Sequence, residues 1–323
     1  MTILSCRKEL LWMTAGAVIA LVIMFFVHHF KTEQNITDLL SFKARRADLV
    51  GRLRLNLALA SEAEKSAVLA VTDKDSQTFA DQARSATAEM ERELKELGEL
   101  LAIGGTTDEK SHLDQFTKVF TDFQHIDNEL LDLAVKNSNI KAYSLAFGPA
   151  ADTLKEMDSA LSRLVAKNTE TAEAKNVAML AFGIQAAALR IQTLLAPHIA
   201  EESDKKMDDM EALMTREDQQ VLKNLSNLAA LPTLRGDPDL ATATMDYTRF
   251  NEVRGRILVL SRENTNVRSL AISLGQKRKV SFLCQDILSA LQQAILEEPI
   301  AGVNNVVVSN PRSLQAEFSG KGN

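Results

Sequence analysis

The sequence of 323 residues has few of the residues that build sheets and tight turns. It contains six prolines, thirteen glycines, two tyrosines and one tryptophan, whereas sheet proteins need runs of β-branched, aromatic and turn-forming residues. Alanine, leucine, glutamate and lysine are abundant instead. This composition predicts an all-α protein.

Basic faces and catalytic motifs are missing as well. The net charge of −6 and the pI near 5.5 argue against a nucleic-acid partner, because nucleic acids bind to basic surfaces. The five histidines are scattered without metal-ligand spacing, and no glycine-rich phosphate loop or acid, base and nucleophile set is visible. We therefore expect no enzyme, no metal and no cofactor.

An internal repeat is the strongest pattern that is present. Residues 113–148 recur at 240–275 with an offset of 127, and both copies place apolar residues at the same helical spacing. In the first copy these residues are Leu113, Phe116, Phe120, Phe123, Ile126, Leu130 and Leu133. The register continues through a polar turn, because Asn137 and Asn139 correspond to Asn264 and Asn266. A duplicated helix and turn predict two small bundles.

The predicted organisation has four parts. Residues 1–30 form an N-terminal anchor, 31–170 a first four-helix bundle, 171–298 a second four-helix bundle, and 299–323 a loosely ordered tail. The fold class is thus all-α, with a transmembrane helix followed by two tandem up-down four-helix bundles.

Local signals within this plan predict where individual helices begin and end. Thr106 and Glu109 have the spacing of a capping box, and Asp237 before Pro238 has that of an N-cap. Gly148 followed by Pro149 should kink or restart a helix, and Pro197 should end one. Either the chain bends near residues 168–171 to separate the two bundles, or the stacked bundles share long helices.

The N-terminal segment predicts membrane anchoring. Residues 10–27 carry no charge, and about 20 apolar residues are needed to span a bilayer as a helix. Arg7 and Lys8 precede the run and favour a cytoplasmic N-terminus. Because no small-residue cleavage site follows, an uncleaved anchor is favoured over a signal peptide. Cys6 and Cys284 would then lie on opposite sides of the membrane and could not pair.

The repeated segment resembles a known family. The stretch FTKVFTDFQHIDNELLDLAVKNSNIKAYSLAF, continued by a seam of Leu154, Met157, Leu161 and Leu164, is similar to the four-helix-bundle sensory module of bacterial chemoreceptors. The second copy, YTRFNEVRGRILVLSRENTNVRSLAISLG, fits the same description. A related arrangement, the helical bimodular sensor, fits the length equally well.

The resemblance implies a sensory protein of a chemotaxis-type signal transduction system. Its partners would be a small ligand, such as a carboxylate or amino acid, or a signalling protein, with the ligand held between helices or at a homodimer interface. The protein would be a single-pass protein of the inner membrane, with most of the chain in the periplasm. No apolar run of even ten residues follows residue 298, so we expect part of a larger receptor or a module without its own output domain. The alternative is a structural or adaptor bundle without a ligand.

Two sets of charged residues are candidates for binding. Arg190 lies in a helix that is otherwise nearly free of charge, and Lys65 lies at the corresponding place in the first copy. A guanidinium facing an apolar seam could clamp a carboxylate, whereas an arginine at a core edge would extend its charge into solvent. The basic residues within 276–279 are either an exposed helical turn or a contact for an anion or lipid headgroup.

Overall fold

The computed structural model describes residues 3–298, with the side chains of Met24 and of residues 37–298. These residues form helices and turns and no strand, which confirms the all-α class. The α-helices are α1 Ile3–Leu69, α2 Asp73–Gly104, α3 Thr107–Ala134, α4 Ser138–Phe147, α5 Pro149–Lys167, α6 Ala174–Ala200, α7 Asp204–Ala230, α8 Pro238–Glu263, α9 Thr265–Ile272 and α10 Arg278–Glu297. A 3₁₀ turn spans Pro232–Leu234, and a π-helical turn spans Ser273–Lys277 between α9 and α10.

Most of the predicted helix boundaries are confirmed. The Thr106 backbone N–H donates to Glu109 Oε2 at 2.9 Å, and the Glu109 N–H donates to Thr106 Oγ1 at 3.2 Å, so the capping box forms. The Asp237 side chain accepts from two N–H groups at the start of α8. Gly148 separates α4 from α5. The prediction that Pro197 ends a helix is wrong, since α6 continues to Ala200.

The chain divides into two compact units. Unit 1 comprises Met1–Arg54, Glu91–Phe116 and Asp286–Asn323, and unit 2 comprises Leu55–Met90 and Thr117–Gln285. Within unit 1, Arg46 NH1 donates to buried Glu109 at 2.6 Å, and Arg46 also pairs with Glu298 at 2.5 Å. Lys43 Nζ donates to the backbone oxygens of Leu296 and Glu298, both at 2.7 Å. The last turn of α10 is therefore bound to α1 by two cations, which is favourable at a helix C-terminus.

Unit 2 contains two hydrophobic cores. The small core joins Ala67 and Val68 of α1, Ala80 and Ala83 of α2, and Leu130, Leu131 and Ala134 of α3, with Ile272 packed against it. The large core is formed by apolar residues of α4, α5, α6, α7 and α8, from Ala142 to Ile257.

These cores do not coincide with the expected division at residue 170. Leu154, Leu161 and Leu164 of α5 were assigned to the first bundle, but they share the large core with Ile184 of α6 and Phe250 of α8. Helix α5, which was expected to close the first bundle, therefore shares its core with α6 and α8. The reason is that the spacing of apolar residues along a helix shows which face is buried but does not show which other helix packs against that face.

One helix of the described residues, Ala174–Ala200, is long and apolar enough to cross a membrane. Its buried residues, including Ile184 and Ile191, lie in the large core. We interpret α6 as the central helix of that core. The predicted anchor at residues 10–27 is helical within α1, but nearly all its side chains lie outside the described ones, as does the tail at 299–323.

Candidate ligand groove in unit 2

A groove of 460 Å³ runs between α5 and α6 in unit 2. Its volume is within the range of roughly 300 to 1,000 Å³ that is typical of small-molecule sites. The lining residues come from two successive turns of α5 and three of α6: Ala151, Leu154, Lys155, Met157, Asp158, Phe182, Gln185, Ala186, Ala188, Leu189 and Gln192.

The groove combines an apolar floor with an apolar rim. Leu154, Met157 and Ala188 are buried and belong to the large core. Phe182 and Leu189 are 61% and 58% exposed and stand one above the other on α6, since they are seven residues apart. Large apolar side chains on a solvent-facing groove are the kind of surface that a ligand covers.

Polar groups lie at defined points of the groove. Gln185 Nε2 donates to Asp158 Oδ1 at 2.6 Å, so this amide and carboxylate link α6 to α5. Lys155 is exposed one turn before Asp158. Among the described residues no ion pair of Lys155 is found. The Gln192 amide adds a donor and an acceptor at the other end.

The two residues that the sequence singled out lie elsewhere. Arg190 is on α6, but its side chain is 61% exposed and NH1 donates to Glu217 of α7 at 3.0 Å. It has the geometry expected of an arginine at a core edge that extends into solvent. Lys65 is exposed on α1, beside buried Glu64. The structure does not bring Arg190 and Lys65 to the groove, and a role for them in binding stays a prediction.

Sequence reasoning missed Lys155, Phe182 and Gln185. A signal was present, because α6 carries Met179, Phe182 and Leu189 in addition to its buried stripe. A helix buried on one face needs only a single apolar stripe. The second stripe shows that α6 also has an apolar face exposed to solvent, and the cation on the neighbouring helix could be recognised only once α5 was placed beside α6.

A buried histidine forms a second polar cluster in unit 2. His198 Nδ1 lies 2.8 Å from Ser261 Oγ, and Nε2 lies 2.9 Å from Glu211 Oε1. The residue types are those of a hydrolase triad, but Ser261 and His198 are fully buried and Ser261 Oγ donates to the His198 carbonyl oxygen at 3.0 Å. A serine that no substrate can reach has a structural role here. Within residues 37–298, no group of three or more His, Cys, Asp or Glu side chains could hold a metal ion.

The part of the chain that the structure describes is all-helical, and its large core joins α4 to α8 with a groove on one side. Residues 46–181 match the family model of the four helix bundle sensory module for signal transduction. The resemblance inferred from the repeat is confirmed over these residues. A comparison with curated proteins gave no match.

Proposed function

We propose that this protein is a membrane-anchored sensory module of a chemotaxis-type system that binds a small amphipathic carboxylate in the groove between α5 and α6. The observation that carries the proposal is the position of Lys155 beside the exposed Phe182 and Leu189 on a 460 Å³ groove. The sensory-module match over residues 46–181 includes α5 and the first part of α6.

The chemistry of the groove defines the ligand class. One ammonium and two amides can bind a carboxylate and a neighbouring polar group. The apolar rim would cover an alkyl chain, and each buried methylene contributes about 0.8 kcal/mol. A straight-chain monocarboxylate has both parts. Sensing would follow if the ligand changes how α5 and α6 pack, since Gln185 and Asp158 already link the two helices.

The module would be held at the inner membrane by residues 10–27, with the bulk of the chain in the periplasm. Arg7, Lys8 and the uncharged run support this orientation. Intact-mass analysis of the membrane fraction should find the chain with its N-terminal segment. A mature chain that begins near residue 30 would show a cleaved signal peptide instead.

Ligand binding is tested by thermal shift and calorimetric titration with butanoate, hexanoate and octanoate, with hexanol as the neutral analogue. We expect the melting temperature to rise with the carboxylates, with affinity increasing along the series and little effect of hexanol. At a hundredfold excess over Kd, binding adds about 2.7 kcal/mol to the free energy of unfolding. Lys155→Gln should weaken carboxylate binding at least tenfold.

Lys175→Gln is the matched control, because Lys175 is an exposed lysine on α6 that lies outside the groove lining. It should bind like the wild type. If no carboxylate raises the melting temperature, or if both lysine variants weaken binding equally, the groove is not a carboxylate site. The structural or adaptor bundle would then be the better interpretation.

A further inference from the structure

A buried charged cluster in unit 2 surrounds the π-helical turn Ser273–Lys277. Lys277 is 1% exposed, and its ammonium pairs with Asp127 of α3, which is also buried. The same ammonium lies 3.3 Å from the centre of the Phe123 ring, a cation–π contact that is strongest when it is desolvated. The expected exposed basic turn is thus wrong for Lys277, which lies inside the protein.

Glu64 of α1 is the third ionisable group of this cluster. It is buried, and the hydroxyl group of Ser273, the first residue of the π turn, lies near its carboxyl group. Its Oε1 has no hydrogen-bond partner among the described residues. A buried carboxylate oxygen without a donor is costly, whereas a carboxylic acid removes the charge and most of that cost.

The charges of the cluster do not balance. Glu64 and Asp127 would carry two negative charges when both are ionised, and Lys277 supplies one positive charge. Asp127 is the carboxylate in direct contact with the ammonium, so it is the one that ionises most readily. We propose that Glu64 is a proton-binding site, which holds one proton in the folded protein at neutral pH and makes the packing around the π turn sensitive to pH.

The groups that face the cluster support this assignment. Burial raises the pKa of the Glu64 carboxyl above its usual value, while the nearby Ser273 hydroxyl and Lys277 partly offset the rise. Asp127 raises it further and Lys65 lowers it. Burial raises the pKa of the Asp127 carboxyl as well, and Lys277 and Arg84 of α2 offset this rise only in part. The neighbouring Cys284 of α10 has a raised pKa and stays a neutral thiol.

Proton release would act on the π turn through both of its ends. Asp127 of α3 pairs with Lys277, the last residue of the turn, and the Glu64 carboxyl of α1 lies near Ser273, its first residue. An ionised Glu64 would leave the dry cluster with a net negative charge and would compete with Asp127 for Lys277. π-Helical turns are strained insertions that frequently lie at functional positions.

The sign of the pH dependence follows from linkage. A carboxyl group with a raised folded-state pKa stabilises the fold fully below its unfolded pKa, and this stabilisation is lost as the pH rises through the folded value. The test compares the wild type with Glu64→Gln, which mimics the protonated acid in shape and charge. From about pH 5 to about pH 8, the melting temperature of the wild type should fall by several degrees relative to that of the variant.

Glu62→Gln is the control, since Glu62 is exposed on the same helix and the charge change is identical. Its melting temperature should parallel that of the wild type at every pH. Infrared spectroscopy at neutral pH gives a direct readout, because the band of a protonated carboxylic acid should be present in the wild type and absent in Glu64→Gln. The proposal is overturned if that band is missing, or if Glu64→Gln lowers the melting temperature equally at both pH values.

Discussion

Ser138 and Thr265, which occupy equivalent places in the two copies of the repeat, cap each other's helix. The Ser138 N–H donates to Thr265 Oγ1 at 3.1 Å, and the Thr265 N–H donates to Ser138 Oγ at 3.0 Å. The next residues repeat this exchange, since Asn139 and Asn266 each accept from the other's N–H through the side-chain oxygen. The duplicated turns thus form one polar joint with local twofold symmetry.

The joint gives the first prediction. Ser138→Ala and Thr265→Ala should each lower the free energy of unfolding by about 1 to 3 kcal/mol, because each leaves a buried backbone N–H without an acceptor. Urea denaturation measures both. Ser159→Ala is the control, since the exposed Ser159 hydroxyl bonds only within its own helix, and it should be nearly neutral. A neutral Ser138→Ala would show that the joint adds no stability.

Phe123 and Phe250 provide the second prediction. Both rings are fully buried at equivalent positions of the repeat, so Phe123→Ala and Phe250→Ala should each cost about 3 to 5 kcal/mol. Phe147→Ala, which removes a ring that is 68% exposed, should cost much less. Denaturant titrations of the three variants measure these losses in the free energy of unfolding. If Phe250→Ala loses as little as Phe147→Ala, the buried apolar stripe is not repeated in the second copy.

The third prediction separates two roles of Glu109 in unit 1. Thr106→Ala removes only a capping hydroxyl and should cost about 1 kcal/mol. Glu109→Ala also removes the partner of buried Arg46, and breaking a buried pair costs roughly 3 to 5 kcal/mol. Thermal and chemical unfolding of both variants tests whether Glu109→Ala loses more stability than Thr106→Ala. Equal costs would mean that the ion pair with Arg46 contributes nothing beyond the cap.

The fourth prediction concerns the pH dependence at His198. Burial lowers the pKa of its imidazole below the usual value, and the hydrogen bond to Glu211 offsets this only in part. In the unfolded chain this imidazole binds a proton near the reference pKa of about 6.5. The folded protein binds the proton only at lower pH. The stability gained from a neutral, buried His198 is therefore lost as the pH falls from that value towards the lower folded pKa. An NMR titration of the ring, assigned with His198→Gln, should give a midpoint below that of an unfolded histidine. A midpoint above that of an unfolded histidine would mean that protonation of His198 stabilises the fold, which contradicts this prediction.

Arg190 gives the fifth prediction. Its pair with Glu217 is solvent-exposed on the arginine side, and exposed pairs contribute about 0 to 1 kcal/mol. Arg190→Lys should therefore leave both the melting temperature and the carboxylate affinity unchanged. Calorimetric titration and thermal melting of the variant distinguish a surface arginine from a ligand contact. If the variant loses carboxylate affinity while its melting temperature is unchanged, Arg190 contacts the ligand and the site lies away from Lys155.

The sequence determined much of the local structure of this protein. The capping box at Thr106 and Glu109, the N-cap at Asp237 and the break at Gly148 are set by hydrogen bonds and backbone restrictions that act within a few residues. The apolar spacing likewise identified Phe123 and Phe250 as core residues, because helical periodicity alone determines which side chains share a face.

Only the tertiary structure shows which helix faces pack against each other. Whether Leu154 packs against α3 or α6 depends on contacts between residues far apart in the chain, and apolar seams are too alike to encode the choice. The same holds for charge: Lys277 looks like a surface lysine in the sequence and becomes a buried one only because Asp127 and Phe123 lie opposite it. Lys155 acquires its candidate role for the same reason, because a groove exists only after α5 and α6 have packed together.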